Sequence, residues 1–205
     1  MSSEAIWVLA ERPSGEHIAR LYSHETVLIE SLRTFTTHGL LRGEGVLLVL
    51  TPPHRQVLMQ HLKAESVDVD GPQRAGQLLL LDADELLASF MLGPMPDAKL
   101  FSMSLGESLA RMKPSGGNGK VRVFGEMVDL LWKSNQPAAI CLEQLWSDLI
   151  EGSGLSLFCA YSTSHVYDTF PETLRAPHSH IMSSAIAETS GDAIVGHTLD
   201  PRIVY

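Results

Sequence analysis

The sequence predicts an α/β fold with three layers, in which helices cover both faces of a mainly parallel sheet. Two runs, Val46–Leu50 and Leu78–Leu81, are apolar throughout, which is typical of strands buried on both faces. The segments between apolar runs carry apolar residues at helical spacing, which indicates helices that pack on the sheet. Between Lys120 and Tyr161 a strand, two helices and a second strand follow one another. Strands joined by such a helical crossover lie parallel in one sheet.

The first elements along the chain are an arm, a strand and a helix. Residues 1–16 are interpreted as an N-terminal arm, in which Ile6–Leu9 could add an edge strand or dock on a neighbouring molecule. His17–Tyr22 alternates in the manner of a strand. Ser23 is predicted to cap the helix that follows, and Gly39 is predicted to end it.

The central elements repeat this order of strand and helix. After the strand Val46–Leu50, Pro53 suits the first turn of a helix. A loop is predicted from Val67 to Gly76, and the strand Leu78–Leu81 comes next. Asp84 is predicted to cap the helix after that strand.

The last elements complete the alternation. After a break at Gly93–Pro96, Asp97 is predicted to cap a further helix. A strand then runs into a helix at Gly125–Glu126, another helix follows, and the last strand reaches Tyr161. The whole pattern is β-α-β-α-β-α-α-β-α-α-β, which predicts the three-layer arrangement.

Composition limits the classes of function. The chain has 205 residues and a net charge of −9, which argues against non-specific binding to nucleic acids or anionic membranes. Its apolar runs are all shorter than the roughly 18 residues of a membrane span, and its N-terminus does not resemble a signal peptide. Residues 17–182 are interpreted as one domain and residues 183–205 as a peripheral tail. Cytoplasmic localisation is expected.

The two cysteines, Cys141 and Cys159, both lie in apolar runs. This position indicates buried thiols in a reducing compartment. A disulfide or a redox switch is the alternative interpretation.

Polar residues follow the predicted strands, and the carboxyl ends of parallel strands meet at one edge of the sheet, where open α/β folds bind ligands. Aromatic side chains next to these strand ends could wall an apolar pocket together with a few polar groups. Glu126 is the strongest candidate, because it begins a helix directly after a buried strand. The residues expected to bind a ligand are Tyr22, Glu25, Thr51, His54, Glu126, Trp132 and Tyr161.

The carboxylates at this edge allow more than one interpretation. Glu25, Asp82, Asp84 and Glu126 could hold a cation or act as an acid and a base. Alternatively, these carboxylates serve as helix caps and in salt bridges, since Asp84 and Glu126 both precede helices, where negative charge is favourable.

Several kinds of chemistry lack their sequence signature. The closest match to a phosphate loop, P-S-G-G-N-G-K-V at residues 114–121, lacks the first glycine and the final hydroxyl and precedes a strand. No nucleophile elbow is present. His178 and His180 could contribute to a metal site only if further ligands joined them. ATP hydrolysis, a cofactor and a metal are therefore not expected.

One carboxylate falls on an otherwise apolar helix. Glu143 lies one turn before Trp146 on the same side of the helix, so it needs a partner if it is buried. Arg122 is the candidate for that partner. Trp146 is expected either in the core or in the wall of the ligand pocket.

Three strings resemble the MEDS domain, the sensory domain of methanogen and methylotroph regulators. They are H-I-A-R-L-Y, which begins at His17, F-G-E-M-V-D-L-L-W, which begins with Phe124 and Gly125, and L-E-Q-L-W, which contains Glu143 and Trp146. The resemblance extends over about residues 14–182. It implies a shell similar to the RecA/KaiC-like ATPase core, without the phosphate loop of that core.

The resemblance also implies a function. It predicts a non-catalytic sensory or regulatory domain that binds a small, largely apolar ligand, such as a hydrocarbon derivative, and signals through a partner of the histidine kinase or transcription regulator class. Direct binding to nucleic acid or membrane is not expected, and homo-oligomerisation is expected. Two alternatives stay open: an interaction module on a degenerate RecA-like shell, and a small-molecule enzyme that uses Glu126.

Overall fold

The strands form one large sheet and one small hairpin. A computed structural model describes residues 15–116, 119–164, 171–183 and 203–204. The strands are β1 (His17–Tyr22), β2 (Gly45–Leu50), β3 (Leu78–Asp82), β4 (Met91–Leu92), β5 (Met95–Pro96), β6 (Val121–Gly125), β7 (Ser156–Ser162), β8 (His180–Ser183) and β9 (Ile203–Val204).

The large sheet has seven of these strands in the order β3-β2-β6-β7-β1-β8-β9, and all of its described pairings are parallel. β4 and β5 pair antiparallel around the predicted break, where Gly93 has a φ of +63°. The parallel α/β fold expected from the sequence is therefore confirmed.

The helices of the described residues occupy the connections between strands. None of them combines the length and apolar character needed to cross a membrane. They are α1 (Glu25–Leu41), α2 (Pro52–Ala64), α3 (Asp70–Ala75), α4 (Ala83–Phe90), α5 (Ala98–Ala110), α6 (Met127–Ser134), α7 (Gln136–Ser153) and α8 (Glu172–Arg175).

β2 shows why the core has two layers. All six of its residues are buried. Leu47 and Val49 belong to one hydrophobic cluster, whereas Val46, Leu48 and Leu50 belong to a second one. Because successive side chains of a strand point to opposite faces, the two clusters lie on opposite faces of the sheet. Both faces are therefore covered, as expected for a strand that is apolar throughout.

Several predicted boundaries differ from the structure. Asp82, not Asp84, caps α4, because its carboxylate accepts from the backbone N–H groups of Asp84 and Glu85. α1 begins after His24 rather than directly after Ser23. The loop predicted from residue 67 to 76 contains α3, which is too short to give a clear periodic pattern.

Gly39 does not end α1, which continues to Leu41. A β-carbon added at Gly39 would lie 2.7 Å from both Arg122 Cδ and Val46 Cγ2. The glycine at this position therefore allows close packing of the helix on the sheet rather than a turn.

The C-terminal part of the described chain extends the sheet beyond β1. β8 pairs with β1 and β9 pairs with β8, so residues 203–204 form the edge strand on that side. The arm with Ile6–Leu9 and most of the predicted tail lie outside the described residues. The domain boundaries at 17 and 182 stay a prediction.

Candidate functional site

A cavity of about 340 Å³ opens at the carboxyl edge of the sheet. Tyr22 ends β1, Thr51 follows β2 and Glu126 follows β6, so the ends of the adjacent strands β2 and β6, and of β1 beyond β7, supply part of its wall. The pairing register brings these ends level, since Val49 lies opposite Gly125. Five of the seven residues expected to bind a ligand line this cavity, namely Tyr22, Glu25, Thr51, His54 and Glu126.

Glu126 connects two of these strand ends. Its side chain is buried, and it accepts a hydrogen bond from the backbone N–H of Thr51. Its second oxygen lies 2.5 Å from Nδ1 of His54. Glu126 precedes α6 but makes no side-chain capping bond to that helix. The carboxylate therefore contacts the end of the neighbouring strand β2 and the first turn of α2 instead, so of the two structural roles considered for it, a cap or a salt bridge, it fills the second.

His54 forms an ion pair with Glu126 when its ring is protonated. The hydrogen bond to Glu126 raises the pKa of His54 above its usual value, against the lowering effect of burial, and the charges of Glu126, Glu25 and Asp129 raise it further. Charge on the imidazole is therefore favoured at this position.

Asp129 is a member of the site that was not predicted from the sequence. It is buried, lines the cavity and accepts from the backbone N–H of Ser162 at 3.2 Å. Burial raises the pKa of Tyr22, and the neighbouring carboxylates Asp129, Glu126 and Glu25 add to this increase. The signal that could have found Asp129 is its spacing, because it follows Glu126 by three residues on one helical face.

α6 turns one face to the cavity and another face to the hydrophobic core. Glu126, Asp129, Leu130 and Lys133 line the cavity, at spacings of three, four and seven residues. Residues 127, 128, 131 and 132 are buried in the hydrophobic cluster on the other side of the helix. Trp132 therefore belongs to the core and does not wall the cavity, contrary to the expectation from the sequence.

The other predicted aromatic and motif residues also lie in the core. Trp146 packs edge-on against Phe101, with ring centroids 5.1 Å apart. Phe124 packs against Phe158 on the opposite face of the sheet, with centroids 5.2 Å apart. Tyr161 is fully buried and does not line the cavity.

The predicted pair of Glu143 and Arg122 does not form. Arg122 donates from Nε to Glu44 at 2.6 Å and from Nη1 to the carbonyl of Phe35 at 3.0 Å. Glu143 instead accepts a hydrogen bond from the hydroxyl of Tyr161. β6 presents Arg122 to the face of the sheet opposite the one that packs on α7, so the sequence separation gave no guide to the partner.

Glu143 and Tyr161 belong to a second polar group, separate from the cavity. Nε2 of His17 lies 3.4 Å from Sγ of Cys159 and 3.5 Å from Oε2 of Glu143. Nε2 of His178 lies 3.8 Å from Oε1 of Glu143.

Neither of the two residue pairs considered from the sequence, Cys141 with Cys159 and His178 with His180, comes together in the structure. Cys141 and Cys159 are both free thiols, and Cys159 is the buried one. His180 lies near Glu16, with 3.5 Å between Nε2 and Oε2, whereas His178 lies in the buried group. The two histidines that were considered together as metal ligands therefore face different surroundings.

The cavity has an acidic wall. Glu25, Asp84, Glu126 and Asp129 are all among its lining residues, and Lys133 lies at the same cavity. Such a wall favours cations and hydrogen-bond donors and disfavours phosphate groups.

Three solved structures with a similar fold come from archaea. The KaiC-like protein PH0186 of Pyrococcus horikoshii OT3 is 10% identical with a TM-score of 0.56, and the match covers 82% of this chain and 70% of that chain. The flagellar accessory protein FlaH of Methanocaldococcus jannaschii is 10% identical with a TM-score of 0.53, covering 94% and 81%. PH0250 of Pyrococcus horikoshii OT3 is 13% identical with a TM-score of 0.55, covering 91% and 89%. At these identities the likeness shows the fold alone.

A comparison with curated proteins finds no match. The family model MEDS, described as the methanogen/methylotroph, DcmR sensory domain, matches residues 16–179. This range includes both the cavity and the buried polar group. The chain therefore belongs to the MEDS family of sensory domains, built on a RecA/KaiC-like fold.

Proposed function

We propose that this sensory domain binds a small cationic or hydrogen-bond-donating ligand in the cavity at the carboxyl edge of the sheet. The observation that carries the proposal is the position of Glu126, which is buried at the cavity wall and is held by Thr51 and His54. A cavity of about 340 Å³ is within the range of about 300–1,000 Å³ for small-molecule sites.

The proposed ligand differs from the largely apolar one expected from the sequence. Trp132 and Tyr161, which were expected to supply apolar walls, lie elsewhere. The cavity wall instead contains the carboxylates of Asp84, Glu126 and Asp129. A ligand with an ammonium, amidinium or similar donor group would offset this charge.

The same wall opposes nucleotide binding. A phosphate within about 4 Å of one carboxylate meets a repulsion of about 1 kcal/mol in water and about 4 kcal/mol near a protein surface. Several carboxylates act together here, and one of them, Glu25, begins the helix that follows β1. We therefore propose that the domain is not an ATPase, although its fold resembles that of KaiC-like proteins.

Signalling is proposed to pass through a second protein. A partner of the histidine kinase or transcription regulator class would read the ligand state, in keeping with the sensory family. A filled core at the carboxyl edge would favour the alternative of a pure interaction module. The cavity there, lined by Tyr22, Thr51 and Glu126 but not by Trp132, supports a sensor instead.

A panel of small molecules tests the proposal by thermal shift. We expect organic amines to raise the melting temperature of the untagged protein, while matched carboxylates and magnesium-ATP leave it unchanged. Asp129→Asn should reduce the amine shift, whereas Glu107→Gln, which alters an exposed carboxylate at a different cavity, should keep it. The proposal would be contradicted if amines raised the melting temperature of both variants equally. It would also be contradicted if carboxylates raised the melting temperature of the wild type and amines did not.

A second candidate function is small-molecule catalysis, and the His54–Glu126 contact favours it. A histidine held by a carboxylate is a common general base. This function requires that a ligand from the panel be chemically altered by wild-type protein and not by His54→Gln. Mass spectrometry of the ligand recovered after incubation distinguishes an enzyme from a sensor, because a sensor leaves the mass of the ligand unchanged.

A further inference from the structure

The buried group around Glu143 has the composition of a metal site. It contains His17, Glu143, Cys159 and His178, each exposing 4% or less of its surface. One potential ligand atom from each lies within 4.8 Å of all the others. Two nitrogen donors, one sulfur donor and one carboxylate oxygen make a set that suits Zn²⁺ in a four-coordinate site.

The separations between these atoms in the structure fit such a site. Ligand atoms placed tetrahedrally at about 2.0–2.3 Å from zinc lie about 3.3–3.8 Å from one another. Nε2 of His17 lies 3.4 Å from Sγ of Cys159 and 3.5 Å from Oε2 of Glu143. Nε2 of His178 lies 3.8 Å from Oε1, the other oxygen of the same carboxylate. The four side chains therefore already converge on one point, and the Glu143 carboxylate can offer either oxygen to an ion there.

The tautomer of His178 favours the same conclusion. Its Nδ1 lies 2.6 Å from the carbonyl oxygen of Leu174, and a carbonyl oxygen can only accept, so Nδ1 carries the proton. Nε2 therefore presents a lone pair to the group. A backbone carbonyl that fixes one ring nitrogen while the other faces the ion is the usual support for a metal-binding histidine.

A hydrogen bond also fixes the orientation of the Glu143 carboxylate, because the hydroxyl of Tyr161 donates to its Oε1. Its Oε2 is buried and has no hydrogen-bond partner among the described residues. An unsatisfied carboxylate oxygen inside a protein is costly, so it needs either a proton or a cation. A Zn²⁺ ion bound by one thiolate, one carboxylate and two neutral imidazoles carries no net charge, which limits the cost of burying it.

We propose that His17, Glu143, Cys159 and His178 bind one Zn²⁺ ion as a closed structural site. The ligands come from β1, α7, β7 and the turn after α8, so one ion would join four separate parts of the chain. Zinc displaces the thiol proton of Cys159 and the carboxyl proton of Glu143, both of which leave to solvent, so the sulfur binds as thiolate and the oxygen as carboxylate. The site does not depend on the ligand cavity, with which it shares no lining residue.

Metal content of untagged protein is the first test. We expect about one zinc per chain by elemental mass spectrometry after growth with zinc and gel filtration without chelator. Cys159→Ser should lose the metal. Cys141→Ser, which changes the other thiol, and His61→Gln, which changes an exposed histidine, should retain it. Metal retained in Cys159→Ser would overturn the proposal.

X-ray absorption of the wild-type protein is the second test, and it needs no variant to fold. We expect one sulfur at about 2.3 Å from zinc and three nitrogen or oxygen atoms at about 2.0–2.1 Å. A shell without sulfur would place the ion elsewhere and overturn the assignment. Folded wild-type protein that binds less than about 0.1 zinc per chain after reconstitution would overturn it as well. That result would leave Glu143 protonated within a hydrogen-bonded group.

Discussion

At the scale of the single residue, Glu126 joins two strand ends that are far apart in sequence. Its carboxylate receives the N–H of Thr51 and contacts the ring of His54. Charge-assisted hydrogen bonds of this kind are about twice as strong as neutral ones. The cavity wall is therefore held in place by the same group that is proposed to meet the ligand.

The His54–Glu126 contact predicts a pH dependence of stability. The pKa of His54 is raised in the folded protein, from an unfolded value of about 6.5. Its contribution is therefore fully present below about pH 6.5 and is lost as the pH rises through the folded pKa. Replacing His54 by Gln should cost more free energy of unfolding at pH 6 than at pH 9, measured by urea denaturation.

His61 provides the control for this measurement, since it is exposed on the same helix. A pH-dependent loss in His61→Gln as large as that in His54→Gln would show that the effect does not come from the His54–Glu126 contact. A loss in His54→Gln that grows as the pH rises would contradict the assigned direction.

The ion pair of Arg122 and Glu44 predicts a large effect of one substitution. Arg122 is buried and also donates to the Phe35 carbonyl. Glu44→Gln should lower the free energy of unfolding by about 3–5 kcal/mol, because it leaves a buried guanidinium without its counter-charge. Glu65→Gln removes the exposed pair with Arg33 and should cost at most about 1 kcal/mol. Equal losses in chemical denaturation would contradict this difference.

At the scale of the element, strands were easier to predict than helix faces. A strand such as Val46–Leu50 is apolar throughout because both of its faces are covered, and that pattern is visible in one dimension. The short helix Asp70–Ala75 has too few residues for a period to show. Which face α6 turns to the cavity depends on tertiary packing. The sequence therefore led to the wrong prediction for Trp132, which was expected in the cavity wall but lies in the core.

Helix packing on the sheet predicts opposite effects for two glycine substitutions. Gly39→Ala places a β-carbon 2.7 Å from Arg122 Cδ and Val46 Cγ2, and overpacking of this kind costs about 1–3 kcal/mol. Gly106→Ala in α5 meets nothing within 4 Å and should stabilise the protein by about 0.5–1 kcal/mol. Thermal unfolding measures both, and a Gly39→Ala variant as stable as Gly106→Ala would contradict the packing.

At the scale of the whole molecule, parallel topology explains how much of the site was predictable. Tyr22, Thr51 and Glu126 could be placed together because parallel strands all end at one edge. Asp129 follows Glu126 by three residues, so its spacing was a usable signal, whereas the partners of Glu143 required the packing of α7 against β7 to be known. That packing is not contained in a single sequence.

Association is a further prediction at this scale. A sensory domain can transmit a signal through a change in self-association, so we expect a homodimer or a larger homo-oligomer. Light scattering of the full chain should give at least twice the chain mass, and deletion of Ile6–Leu9 should reduce that mass if the arm contributes. A strict monomer at high concentration would contradict the prediction.

The most direct test of the ligand site is a crystal structure of the protein with the amine that gives the largest thermal shift. We predict density for that amine in the cavity at the carboxyl edge, with its cationic group within hydrogen-bond distance of Glu126 or Asp129. Density at any other place, with this cavity occupied by water alone, would contradict the proposed site.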